Sequence, residues 1–266
     1  MTAEVGVDVG SVRLHVRAGV ATLVNDNADR HNAFDNDLDA QLLDHLAAID
    51  ADDRVRVVLW RGEGPSFSSG RDVAAIEHLP DGLSQDELFE RVQTLAGRLL
   101  HLRVPIIAVL HGWVVGVSFQ RALLCDLRIA ATGTRFRLPE VRHGFIPDSG
   151  GVARLFQMCG HGVAGDLVLT GRTMDVDEAF GHGVVSRVVP GKQLDASARE
   201  MADAIATSPA FTVSSARRIL RHLASPVVAS SMREELAAQA AVAGSNDYRE
   251  MRRARREQRD PVYRGT

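Results

Sequence analysis

The sequence predicts an α/β fold with a helical C-terminal part, and three observations carry that prediction. Short apolar runs of strand length alternate with stretches of helical period through the first half of the chain. From about residue 150 the pattern becomes mostly helical. With 266 residues, 45% of them apolar and 24% charged, the chain is long enough to bury a large core without disulfide or metal staples.

Val12, Leu14 and Val16 alternate with polar residues, Gly19 turns the chain, and Val20, Leu23 and Val24 continue it as the second arm of a hairpin. Asp35 is placed to cap a helix in which Leu38, Leu42, Leu46 and Ile49 recur at helical spacing. Residues 55–60 form an apolar strand followed by the loop RGEGPSFSSGRD. Residues 84–102 read as a second amphipathic helix, with Leu88, Leu95, Leu99 and Leu102 on one face. Residues 104–110 make another buried strand, HGWVVG a glycine-bounded loop, 117–125 a helix and 127–131 a further strand. Helical stretches follow at 153–158, 164–169, 176–180 and 194–207, with a short β interruption at 184–189. Three more helical runs are expected after Pro209, ending in an arginine-rich tail.

Composition excludes several function classes. Cys125 and Cys159 are too few for a disulfide framework or a zinc knuckle and read as reduced thiols in a cytoplasmic protein. Ten histidines are scattered without ligand spacing, so no metal is expected; His111 and His143, near the site loops, read as structural. The start of the chain shows no signal-peptide pattern, and the most apolar stretch, 104–119, is short for a membrane span and contains Pro105 and His111. The formal charge is −3, and the arginines of the tail alternate with acids, which argues against a nucleic-acid partner. No GxGxxG, GxxxxGK[ST] or HExxH is present. Pro147-Asp148-Ser149-Gly150-Gly151 resembles the surroundings of a serine-protease nucleophile, but it opens a helix in an α/β pattern, where that chemistry lacks its partners.

Two backbone segments are built alike. Ser69-Gly70-Arg71-Asp72 and Gly116-Val117-Ser118-Phe119 each let the chain turn sharply before a short helix. Free N–H groups at helix starts stabilise a nearby oxyanion, and two converging on one carbonyl would make an oxyanion hole. Two ordinary helix starts would look the same.

The segments GEGPSFSSGRDV, PIIAVLHGWVVGVSFQRALLCDLRIA and FRLPEVRHGFIPDSGGVARL, in this order, resemble the enoyl-CoA hydratase/isomerase (crotonase) family. DRHNAF, LTGRTMDVDEAFGHGVVSRVV and the final RDPVYRG fit as well, so the resemblance spans about residues 10 to 264. It implies a crotonase-like ββα spiral core at 1–200 and a helical C-terminal region at 201–266 used for trimerisation. The implied assembly is a homotrimer or a dimer of trimers. The implied ligand is an acyl-CoA thioester, with coenzyme A entering as part of the substrate and no separate cofactor. Its carbonyl would sit between the N–H groups of Arg71 and Val117, where Arg71 is bulkier than the small residue the family often carries. Arg30, Ser66, Ser68, Ser69, Gly70, Asp72, Gly116 and Tyr263 fall where the family binds coenzyme A or substrate.

Acid–base residues depart from the hydratase pattern. Family hydratases use two glutamates; the second matches Glu140, while the first falls on Gln120. A glutamine orients water but does not exchange a proton near neutral pH. A carboxylate reappears at Asp148, where some family members that move double bonds carry an aspartate. The resemblance therefore implies an enoyl-CoA isomerase with Asp148 and Glu140 as acid–base groups. Hydration by Glu140 and a Gln120-oriented water, and a non-catalytic acyl-CoA binder, are the alternatives. For Asp148 the structural reading is a helix cap; for Glu140 it is an ion pair with Arg137 or Arg142.

Overall fold

The computed structural model describes residues 10–77, 79 and 82–265; the N-terminal stretch read above as lacking a signal peptide lies largely outside them. β1 (Ser11–Arg17) and β2 (Val20–Asp26) form the expected antiparallel hairpin, turned at Gly19 with φ 78°. Next come α1 (Asn36–Ala51), β3 (Val57–Gly62), α2 (Val73–Glu77), α3 (Gln85–His101), β4 (Ile106–Leu110) and β5 (Trp113–Val115). α4 (Val117–Leu124), β6 (Leu127–Ala131), β7 (Arg135–Arg137), α5 (Gly151–Thr170), β8 (Thr173–Asp175), α6 (Val176–Gly181) and β9 (Arg187–Val189) follow. The chain finishes with α7 (Leu194–Ala206), α8 (Ala210–Ala243) and α9 (Asn246–Arg256).

The strands make a six-stranded sheet in the order β1-β2-β3-β4-β6-β9 and a three-stranded sheet in the order β5-β7-β8. From β2 onward the large sheet is parallel. β4 is followed by β5, and β6 by β7, so successive turns of chain place one strand in each sheet. That is the ββα spiral.

Side-chain alternation explains how both faces of the large sheet are covered. Val58, Trp60, Ile106 and Ala108 point into the main core with Leu42 and Leu46 of α1, Leu95 and Leu99 of α3, and Phe119 of α4. Their neighbours Val57, Leu59, Ile107 and Val109 point the other way and meet Leu194, Ala198 and Met201 of α7. α1 begins where Asp35 Oδ1 accepts the Leu38 N–H at 2.9 Å, and α3 begins with a capping box between Ser84 and Glu87. Each such cap contributes about 1 kcal/mol.

Several expectations need correction. HGWVVG contains a strand, β5, whereas α5 is broken by the non-helical backbone of Gly160 (φ 73°, ψ 174°) into two helical pieces, in line with the two expected stretches. α7 runs across residue 200 and packs on the large sheet. After Pro209 there are two helices, not three, because α8 runs for 34 residues straight through Pro226. Two residues beyond that proline, Val228 is fully buried against α3, α4 and α5, and this packing outweighs the missing backbone bond. Among the described residues, no helix is long and apolar enough to cross a membrane.

Candidate active site

The loop between β3 and α2 is tied down from three sides. Asn32 Nδ2 donates to the carbonyls of Glu63 and Ser66 at 2.8 and 2.7 Å. The Ser68 hydroxyl donates to Asn32 O at 2.6 Å and lies 2.7 Å from the Ser118 hydroxyl. A parallel bridge joins Phe34 to Arg71, using the Gly70 carbonyl and the Asp72 N–H, so the Arg71 N–H stands outside it. Gly70 has φ +95°, and a Cβ there would come within 2.7 Å of the Val115 carbonyl. The loop thereby packs directly against the start of α4. Gly116 caps that helix with φ 57° and ψ −131°, a conformation that favours glycine, and the N–H groups of the first turn have no intrahelical acceptors.

Both segments line a cavity of about 290 Å³. Val73 and Ile76 of α2, Leu88, Phe89 and Val92 of α3, and Phe145 and Ile146 give it an apolar wall. Glu140, Gln120 and Asp148 line the same cavity. Gln120 is fixed at both ends of its amide: Nε2 donates to Glu140 Oε1 at 2.9 Å, and Oε1 accepts the Ser149 N–H at 2.8 Å. The other Glu140 oxygen, Oε2, is buried without a hydrogen-bond partner. Burial pushes the Glu140 carboxyl up to about 7, and Asp148 adds to the shift. Burial, then the neighbouring Glu235, pushes Asp148 up to about 7 as well. Two carboxyls poised near neutrality against an apolar wall suit proton transfer at carbon.

The structural readings of these two residues do not hold. Asp148 does not cap α5: Gly150 is the N-cap residue, and its N–H donates to Glu235 Oε2 at 2.8 Å. Asp148 Oδ1 takes only the Ser149 hydroxyl, at 3.3 Å. Glu140 does not pair with Arg137 or Arg142, which donate to the carbonyls of Gly171 and Thr170.

Of the residues singled out from sequence, the structure gathers Ser69, Arg71, Gly116, Val117, Gln120, Glu140 and Asp148 around the cavity. Ser66 and Ser68 are fully buried, with hydroxyls engaged by His31 and by Asn32 and Ser118, so they hold the loop and do not face a ligand. Gly70 shapes the same loop. Arg30 lies at the surface in an ion pair with Asp72 at 2.5 Å, and this pair ties the loop to the segment after β2. Tyr263 is half exposed on the tail beside α9, away from the cavity wall. His111 Nε2 bonds the Gly64 carbonyl, a structural role, whereas His143 lines the cavity with Arg255.

Sequence reasoning missed Glu235 of α8, whose charge acts on Asp148, and Asp39, which lies between Arg71 and Arg121. Asp39 sits four residues beyond the α1 cap, and helical phase alone puts it near the capped end. No local signal marks Glu235.

A ββα spiral with the Arg71 and Val117 segments and two carboxyls lining one cavity is the architecture of the crotonase fold. The comparisons agree: the enoyl-CoA hydratase/isomerase family model matches residues 15–266, and the chain belongs to that family of acyl-CoA enzymes. The 1,2-epoxyphenylacetyl-CoA isomerase of Escherichia coli K12 is 29% identical over 94% of this chain and 97% of its own. "Probable enoyl-CoA hydratase echA8" of Mycobacterium tuberculosis is 33% identical over 83% and 82% of the two chains. Among solved structures, an enoyl-CoA hydratase/isomerase from Xanthobacter autotrophicus Py2 superposes with TM-score 0.84 at 28% identity, covering 92% of this chain and 93% of that one.

Proposed function

We propose that the protein is an enoyl-CoA isomerase. The thioester carbonyl lies between the N–H groups of Arg71 and Val117, which hold the enolate, while Asp148 and Glu140 move the proton. One carboxylate accepts a proton from one carbon of the acyl chain, the C–H electron pair delocalises onto the thioester oxygen, and the proton returns to another carbon. Burial pushes both carboxyls up to about 7, and the Asp148 charge adds to the shift of Glu140, so both can exchange a proton near neutral pH.

The observation that carries this reading is that two carboxyls pushed up to about 7, Asp148 and Glu140, line the same cavity, while Gln120 beside Glu140 has no proton to exchange. The name of the Escherichia coli relative, an isomerase, supports it. A second reading, hydration by Glu140 with a water oriented by Gln120, is favoured by the unpartnered Glu140 Oε2. The experiment is a panel of 2-enoyl-, 3-enoyl- and dienoyl-CoA thioesters followed by absorbance and mass. A changed spectrum at constant mass establishes isomerisation, a gain of one water establishes hydration, and tight binding without turnover establishes a non-catalytic binder.

The oxyanion N–H groups supply the electrophile, so activity should survive exhaustive dialysis against EDTA; a loss that zinc or magnesium restores would overturn this assignment. The proposed assembly is a homotrimer or a dimer of trimers, working in the cytoplasm.

A further inference from the structure

Beneath the oxyanion segments lies a buried ionic cluster that the proton transfers do not use. Arg121 follows Val117 by one helical turn on α4 and is fully buried. Its guanidinium lies 5.0 Å from the centre of the Phe34 ring. Its Nη1 forms an ion pair with Asp39 Oδ1 at 2.8 Å, and among the described residues no aligned hydrogen bond satisfies any of its three guanidinium nitrogens. The second oxygen, Asp39 Oδ2, accepts from Arg71 Nη1 at 2.5 Å. Arg71 also donates to the Asp35 carbonyl and to Asn36 Oδ1. One carboxylate therefore bridges two buried cations, one on each of the two segments that face the cavity.

A guanidinium buried without acceptors is costly, so its place here calls for a compensating role. Two guanidiniums against one carboxylate leave an uncompensated positive charge. Asp35 reaches Arg71 only from the half-buried cap of α1. Asp148 at the α5 entry also interacts with Arg121, while Glu235 of α8 pushes the Asp148 carboxyl up, and a proton taken by Asp148 removes that counter-charge. We infer that Arg121, joined through Asp39 to Arg71, is a positioning residue that places a buried positive charge behind the two oxyanion N–H groups. In that setting a fixed charge acts on a developing anion with little screening and no reorganisation. The role rests on the enolate chemistry proposed above, and it is independent of whether the overall reaction is isomerisation or hydration.

The test uses acetoacetyl-CoA, a 3-oxoacyl thioester whose enolate absorbs in the near ultraviolet. On enolisation C2–H gives its proton to the buffer and its electron pair to the oxygens, so no acid–base residue is required. Wild-type protein should lower the apparent pKa of the bound thioester relative to the free one. Arg121→Met should raise that bound value by about one unit, a tenfold loss of enolate at fixed pH, with total binding nearly unchanged. Arg121→Lys, which keeps the charge, should recover most of the shift. If Arg121→Met does not fold, Arg121→Gln carries the same comparison against Arg121→Lys. Equal enolisation in wild type and in the neutral variant would overturn the inference, as would equal loss in the lysine and neutral variants. Failure of wild type to bind the thioester at all would instead refute the proposed function.

Discussion

At the scale of single residues, the site rests on two carboxyls whose burial favours the protonated form and brings their titration close to neutral pH. If Asp148 is the base, Asp148→Asn should lower kcat by about 10²–10⁴ while acyl-CoA binding by calorimetry stays near wild type. Glu140→Gln should also be harmful if the two divide the transfers, and much milder if Asp148 acts alone. Gln120→Glu should add or increase hydratase activity, read as mass gain. The pH dependence has a definite sign. Asp148 rises from 3.8 to about 7 on folding, so the folded state favours its neutral form. Stability associated with that proton is therefore complete below about pH 4 and lost as pH rises through about 7. Asp148→Asn should consequently be more stable than wild type at pH 8, by on the order of a few kcal/mol at most and read as a higher Tm, and the gain should be much smaller at pH 5. For wild-type kcat/KM, the base must be ionised, so activity should climb as pH rises through about 7. A flat profile between pH 5 and 8 would contradict that assignment.

At the scale of elements, the site depends on helix starts whose backbone a side chain would distort. Gly116 holds φ 57° and ψ −131° at the head of α4, with Glu140 Oε1 3.4 Å from where a Cβ would stand. Gly116→Ala should cost about 1–3 kcal/mol by thermal denaturation and reduce kcat, since the first-turn N–H groups must shift to relieve the strain. A variant as stable and as active as wild type would remove Gly116 from that role. The glycine-bounded loops, α1 and α3 were legible in the sequence because their signals are local: a cap, a turn, a repeating apolar face. β5 and β7, each three residues long, were not, since strands that short show too little alternation to read as strands. The path of α8 through Pro226 was hidden for a different reason. Proline is a local stop signal, and only Val228 buried against three other helices reveals why it was overridden. The site divides the same way. Glu140, Gln120 and Asp148 could be named through the family resemblance of the segments that carry them, but the grip of Glu235 on the Gly150 N–H joins positions 85 residues apart.

At the scale of the whole molecule, the described chain leaves an apolar stripe without a partner. Ile219, Leu220, Leu223 and Val227 follow one another along α8 at helical spacing, with exposures of 63, 69, 74 and 52%. Phe211 at the start of the same helix is 84% exposed. α8 is attached to the core on its other side, where Arg217 binds Asp126 at 2.8 Å and Val228 is buried, so it does not rotate to hide the stripe. Large apolar side chains in such a row are uncommon on a monomer and are covered when copies associate. Each fully buried leucine or isoleucine contributes roughly 1.5–3 kcal/mol, so a stripe repeated in every protomer is ample to hold an assembly at micromolar concentration. Light scattering should therefore give three or six times the protomer mass of 28.8 kDa. Leu223→Glu should shift the population towards monomer, because it buries a charge where the stripe closes, while circular dichroism shows the fold retained. A wild-type monomer at micromolar concentration would contradict the proposed assembly. An oligomer indifferent to Leu223→Glu would place the contact on another face, with α8 left exposed.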